Sequence, residues 1–138
     1  MTLKDFISNG DRFAANTGVK VVAVSEERAT AQLVVAAEHL NAGGVCQGGA
    51  IFTLADTALA CIANSRLKLT LSIEASIHYH KAAFEGETLT AEAVVLCVHP
   101  KIPSFEVKVT NGKGDLVASF KSTCYTKQVA LEGVDALE

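Results

Sequence analysis

One stretch limits the fold more than any other. Residues 41–49 contain Gly43, Gly44, Gly48 and Gly49, and they run directly into an alanine-rich apolar segment ending near Ser65. Ile51, Leu54, Ala55, Ala58, Leu59 and Ile62 recur with a 3.6-residue period, which predicts a helix from Gly48 to about Ser65. A helix this apolar must be covered on most sides, so the rest of the chain has to wrap it. Its polar residues gather at Thr53, Asp56, Thr57 and Asn64, and Ala55, Ala58 and Ala60 let another backbone come close. Asp56 is its only acid. A carboxylate resists burial unless it is paired or put to use.

The remaining pattern supplies the wrapping. Leu3, Phe6, Ile7 and Phe13 predict a short amphipathic helix over 3–15, broken near Gly10. Gly18 is expected to open a strand. Val19–Val24 and Ala29–Val35 alternate about a turn at Ser25–Arg28. A loop over 36–46 carries His39, Asn41, Gly43 and Gly44. After the long helix, four strands are predicted at Thr70–Lys81, Glu87–His99, Ser104–Thr110 and Leu116–Lys127. Pro100 and Pro103 interrupt their pairing, and Asn111–Asp115 is a hairpin turn. The tail beyond Gln128 has little pattern and is expected to fray. No strand–helix alternation follows the first helix, so a doubly wound parallel sheet is excluded. The class is α+β: one antiparallel sheet curled around one helix, in a single domain over the 138 residues.

Composition narrows the function. A formal charge of −3 gives no electrostatic footprint for nucleic acid. Cys46, Cys61, Cys97 and Cys124 form no CxxC pair and are expected to be buried, reduced thiols in a cytoplasmic protein, not zinc ligands. The start of the chain does not read as a signal peptide. The apolar window around Ile51–Ala63 is too short to span a membrane. His78 and His80 share one side of a strand, yet two histidines alone make a poor metal site; no metal is expected.

The loop–helix junction carries the chemistry. N–H groups at a helix start are unsatisfied and lie at the positive end of the helix dipole. At Gly48 and Gly49 a ligand can approach them closely, which suits a phosphate or a developing oxyanion. No Lys-Ser/Thr pair follows, so this is not a P-loop, and no GxGxxG is present. Asp56 is a candidate general base or nucleophile, or an acid on the helix's thin polar side. Gly48 and Asp56 lie eight residues apart, roughly 12 Å along a helix. A base and an oxyanion donor must both come within about 3 Å of one reacting group. Either the two features are unrelated, or two copies of the helix meet antiparallel across a two-fold axis.

The pattern Asn41-x-x-Gly44-x-x-Gln47-Gly48-Gly49-x-x-Phe52-x-Leu54-Ala55-Asp56-Thr57-Ala58 resembles the signature of hotdog-fold acyl-CoA thioesterases of the phenylacetate-degradation (PaaI) type. Ser72–Ala83, Gly86 and Val117–Thr123 extend the likeness, which covers about residues 10 to 127. The resemblance implies the hotdog fold, with the long helix wrapped by the sheet. It implies dimers joining into tetramers, sites at the dimer interface, an acyl-CoA substrate and no separate cofactor. It makes Asp56 the general base or nucleophile and the Gly48 N–H the group that polarises the thioester carbonyl. Asn41 would position the water or the carboxylate, and Ser72 would help orient the water. Gly49, Thr57, Ser72, Tyr79 and Lys101 are the candidates for substrate contact, with Lys101 facing the phosphates of coenzyme A. The acyl pocket would draw on Phe52, Leu59, Tyr79 and Phe84. One departure stands out: the family's histidine is Gln47, which donates and accepts hydrogen bonds but moves no proton at neutral pH.

Two rival functions share this fold. A hotdog hydratase or dehydratase would need a histidine where Cys61 stands. A non-catalytic acyl-CoA sensor would carry a DNA-binding helix-turn-helix, for which the segment before Gly18 is too short. Cys46, beside the helix start, is a further candidate nucleophile.

Overall fold

The computed structural model of the chain describes all residues from 1 to 138. Two short helices, α1 (Leu3–Gly10) and α2 (Arg12–Thr17), lead into strands β1 (Lys20–Val24) and β2 (Arg28–Val34). A single 3₁₀ turn (Ala37–His39) precedes the long helix α3 (Gly48–Ala63). Four strands follow: β3 (Lys68–Tyr79), β4 (Thr88–Cys97), β5 (Ser104–Thr110) and β6 (Leu116–Ala130). All pairings are antiparallel, in the order β1-β2-β4-β5-β6-β3. The sheet curls around α3, the hotdog arrangement expected from the sequence.

Period-two alternation explains the wrapping. Leu33 on β2, Leu89 on β4, Val107 and Val109 on β5 and Phe120 on β6 are essentially inaccessible, as are Leu54, Ala55 and Ala58 on α3. They belong to one cluster of 30 buried apolar residues. Phe52 of α3 meets Phe120 edge-on at 5.2 Å between ring centroids, a favourable aromatic geometry. The apolar helix of the sequence has therefore found its cover.

Several boundaries differ from the sequence expectation for physical reasons. Gly18 does not open a strand. It closes α2 in the left-handed conformation (φ 95°), its N–H reaching Ala14 O and Ala15 O, as helix-ending glycines do. The segment after Gln128 packs against the other end of the chain. β6 continues to Ala130, Leu131 and Val134 are buried, and the Leu3 N–H donates to Ala136 O at 2.7 Å. These contacts are mainly backbone bonds to the other end of the chain, so they leave no side-chain period to read. Cys97 is exposed, unlike the other three cysteines; it closes β4 just beyond an irregularity in the β4–β5 pairing.

Candidate active site

The start of α3 is held from both sides. The buried His39 accepts the Ala36 N–H on Nδ1 at 2.8 Å, and its Nε2 bonds Thr17 O. One ring thus ties the loop to α2. The Gln47 N–H donates to His39 O at 2.8 Å, and the Cys46 N–H donates to Ala83 O at 2.8 Å. Asn41 folds the loop between them: its Oδ1 accepts the Gly43 N–H at 2.9 Å and the Val45 N–H at 3.3 Å, the usual aspartate/asparagine turn. Its carboxamide oxygen is thereby occupied, and only the NH₂ is free to meet a ligand.

Gln47 is the N-cap of α3. Its Oε1 accepts the Gly49 N–H at 2.6 Å, and the Ala50 N–H donates to Gln47 O at 3.0 Å. The Gly48 N–H alone, among these first three, bonds no protein atom. The helix start therefore presents one free donor. Gln47 does at the cap what its residue type allows, and Gly49 is a capped position with its N–H already used. Tyr79, at the end of β3, donates its hydroxyl to Gly48 O at 2.9 Å. Its ring lies so close that a Cβ on Gly48 would come within 2.9 Å of Cζ, so any side chain there requires Tyr79 to move.

Asp56 projects two turns further along α3 into a cleft of about 390 Å³. The cleft is bounded by Phe6, Asp11, Leu59, Leu71, Ser72 and Leu131, among others. Asp56 stays open to solvent and joins none of the ion pairs of the chain. Desolvation by the surrounding protein raises its carboxyl above the usual carboxylate range, and the charge of Asp11 adds to the rise. Ser72 reaches this cleft through an irregularity in the β3–β6 pairing between Ser72 and Glu74; bulges re-aim side chains in this way. Its hydroxyl is 2.7 Å from Ser122 Oγ, and Ser122 in turn donates to Glu74 O at 2.7 Å.

Gln47, Gly49 and Thr53 line a different cleft, beside Phe13 and His39. Gly48 lines neither cleft, and helix rise keeps its N–H roughly 12 Å from Asp56 within one chain. Other expected residues are placed elsewhere. Thr57 is buried and donates its hydroxyl to Thr53 O at 2.8 Å, so it faces the core and not a ligand. Lys101 lies in the 98–103 loop and lines neither cleft. Of the four residues expected around the acyl group, only Leu59 lines the Asp56 cleft. Phe52 is taken up by Phe120, Tyr79 stands at the helix start, and Phe84 is exposed. Phe6, Asp11 and Leu131 were not foreseen in the cleft. The amphipathic pattern of 3–15 placed Phe6 on an apolar face but gave no sign of which surface that face covers.

Comparison with known proteins agrees with this geometry. Residues 43–118 match the family model described as the thioesterase superfamily. A protein of Archaeoglobus fulgidus whose name assigns it provisionally to the esterases is 42% identical over 123 residues, 89% of this chain and 80% of its own. The acyl-coenzyme A thioesterase PaaI of Escherichia coli is 31% identical over 111 residues, 80% of this chain and 79% of its own. The structure of the E. coli PaaI protein superposes with a TM-score of 0.86, covering 90% of each chain at 27% identity. With its curled antiparallel sheet, its central helix and the matched span across both halves of the candidate site, this chain belongs to the thioesterase superfamily and has the hotdog fold.

Proposed function

We propose that the protein hydrolyses an acyl-CoA thioester to a free carboxylic acid and coenzyme A. The observation that carries this reading is the pairing of two unengaged groups on one helix. Asp56 is an unpaired carboxylate in a mostly apolar cleft, and the Gly48 N–H is a free donor at the positive end of α3. The relationship to an acyl-CoA thioesterase supports the substrate class. Asp56 takes a proton from water as the water attacks the thioester carbonyl, or attacks that carbon itself. The Gly48 N–H, aided by the helix dipole, holds the oxygen as negative charge develops on it. The C–S bond then breaks and the thiolate leaves; where Asp56 itself has attacked, water afterwards hydrolyses the acyl–Asp56 anhydride, releasing the acid and restoring the carboxylate. In this reading Ser72, hydrogen-bonded to Ser122, orients the water, and the Asn41 NH₂ positions the water or the carboxylate. Gln47 supplies the cap and no proton transfer. Lys101 remains a candidate contact for the coenzyme A phosphates, and no further cofactor is required.

The two groups meet only if two chains do. β3 is an edge strand of 12 residues with one side unpaired. Ile73 on it is 61% exposed and Leu71 47%. Exposed apolar edges of this length invite pairing. Pairing β3 with β3 of a second copy sets the two α3 helices antiparallel and brings each Asp56 toward the other copy's helix start. Two such dimers would form the tetramer, and four free cysteines suit a reducing, cytoplasmic compartment. Thiol release from aromatic and from short, medium and long aliphatic acyl-CoAs tests the activity. Release from at least one class is expected, and no release from any class, by a folded protein, would refute it.

A further inference from the structure

We infer that Asp11 is a positioning residue of this site, an electrostatic partner that strengthens Asp56 as a base. The inference rests on the thioesterase reading above and concerns a residue outside the family-like motif. α1 and α2 are separated by one residue, and that residue is Asp11 (φ −83°, ψ 86°). Its Oδ1 accepts the Ala14 N–H at 3.0 Å, capping α2. The cap pins the carboxylate where the helix pair crosses α3, and there it lines the same cleft as Asp56. Asp11 and Asp56 are the only acids that line this cleft, and no lysine, arginine or histidine lines it.

Two like charges sharing one cleft with mostly apolar walls resist being ionised together. The other titratable groups nearby are thiols kept protonated by burial. Cys124 of β6 lines the cleft and its thiol is raised. Cys61 of α3 is pushed up to about 12, with Asp11 contributing after burial. Neither offers a charge to offset Asp11. In the two-fold dimer, the positive end of the other copy's α3 bears on Asp56 and lowers its affinity for a proton. Asp11 opposes that pull. A carboxylate with more affinity for protons draws one from the attacking water more effectively, provided it remains ionised at working pH.

Asp11→Asn removes the charge and keeps the cap, since asparagine caps as well as aspartate. Asp11→Glu keeps the charge and lengthens the side chain. Two readouts on the full-length assembled protein decide the matter: a carbon-13 NMR titration of the Asp56 carboxyl, and the pH profile of kcat/KM for acyl-CoA hydrolysis. In Asp11→Asn the Asp56 midpoint and the acid limb of the profile both move to lower pH. The plateau falls by less than about tenfold, short of the ~100-fold or greater loss expected when a general base is removed. Asp11→Glu restores both toward the parent. An unmoved Asp56 midpoint in Asp11→Asn would overturn the inference, and so would an unmoved acid limb. Absence of thiol release from the parent protein refutes the thioesterase reading instead, and the NMR midpoint still upholds or overturns the coupling.

Discussion

Replacing Gly48 by proline deletes the one free N–H at the start of α3 and leaves the rest of the helix in place. Proline is tolerated at the first helical position because the missing N–H has no partner within the helix. It requires an extended residue before it, and Gln47 already sits at φ −66°, ψ 136°. The Gln47 bonds to the Gly49 and Ala50 N–H groups are untouched. The obstacle is Tyr79, whose Cζ would lie 2.9 Å from the new Cβ. The substitution therefore belongs in a Tyr79→Ala background, which gives up one exposed hydrogen bond at a cost of about 0.5–1.5 kcal/mol. Loss of a single oxyanion donor reduces kcat by about 10²–10³, or roughly 2.7–4 kcal/mol of transition-state stabilisation. The assay is thiol release under saturating acyl-CoA, with thermal melting to show that the fold persists. The double variant should melt near Tyr79→Ala and lose about two to three orders of magnitude in kcat. A well-folded double variant within about threefold of Tyr79→Ala would refute the role given to the Gly48 N–H.

Asp56→Asn should keep the fold and lose about 10²–10⁴ in kcat/KM, measured by thiol release. Because the folded state raises the Asp56 carboxyl, the folded chain binds that proton more tightly than the unfolded chain. Stability from this group falls as pH rises from the ordinary carboxylate range through the raised value. Asp56→Asn should remove that fall and melt no lower than the parent at neutral pH; a clear drop there, in a pH-series melt, would contradict the sign. The same shift places the acid limb of kcat/KM above the ordinary carboxylate range, which a pH profile checks directly. Ile73→Lys puts a charge on the exposed β3 edge and should yield inactive monomers by light scattering. An active monomer would contradict the shared site.

The elements were legible because their patterns are local. The 3.6 period of Ile51, Leu54, Ala58 and Ile62 and the alternation of β4 and β5 depend only on which face is buried. The positions of Gly48 and Asp56 were legible for the same reason, since helix rise fixes their separation whatever surrounds them. The details that were not legible depend on partners distant in sequence. The capping role of Gln47 is a local bond, but the His39 carbonyl that fixes Gln47 is set by Thr17 and Ala36. Thr57 reads as part of a polar stripe with Asp56, yet one position of rotation takes it into the core. Asp11 carries no signal in the sequence pattern, and only the packing of α1 and α2 on α3 brings it to the cleft of Asp56. The docking of the tail lies in backbone bonds, the buried Leu131 and Val134, and ion pairs of Asp135 and Glu138 with the N-terminal segment.

The central claim is that each site takes Asp56 from one chain and the Gly48 N–H from another. Mixed dimers test it most directly. Asp56→Asn chains are refolded or co-expressed with equal amounts of Gly48→Pro/Tyr79→Ala chains, each nearly inactive alone. Random pairing makes half of the dimers mixed, and each mixed dimer holds one site with both groups intact. Thiol release should recover to about one quarter of the rate of unmutated dimers, since the intact site takes Gly48 and its neighbour Tyr79 from the Asp56→Asn chain. If both groups served one site within a single chain, no mixture would contain an intact site, and the rate would stay at that of the two parents.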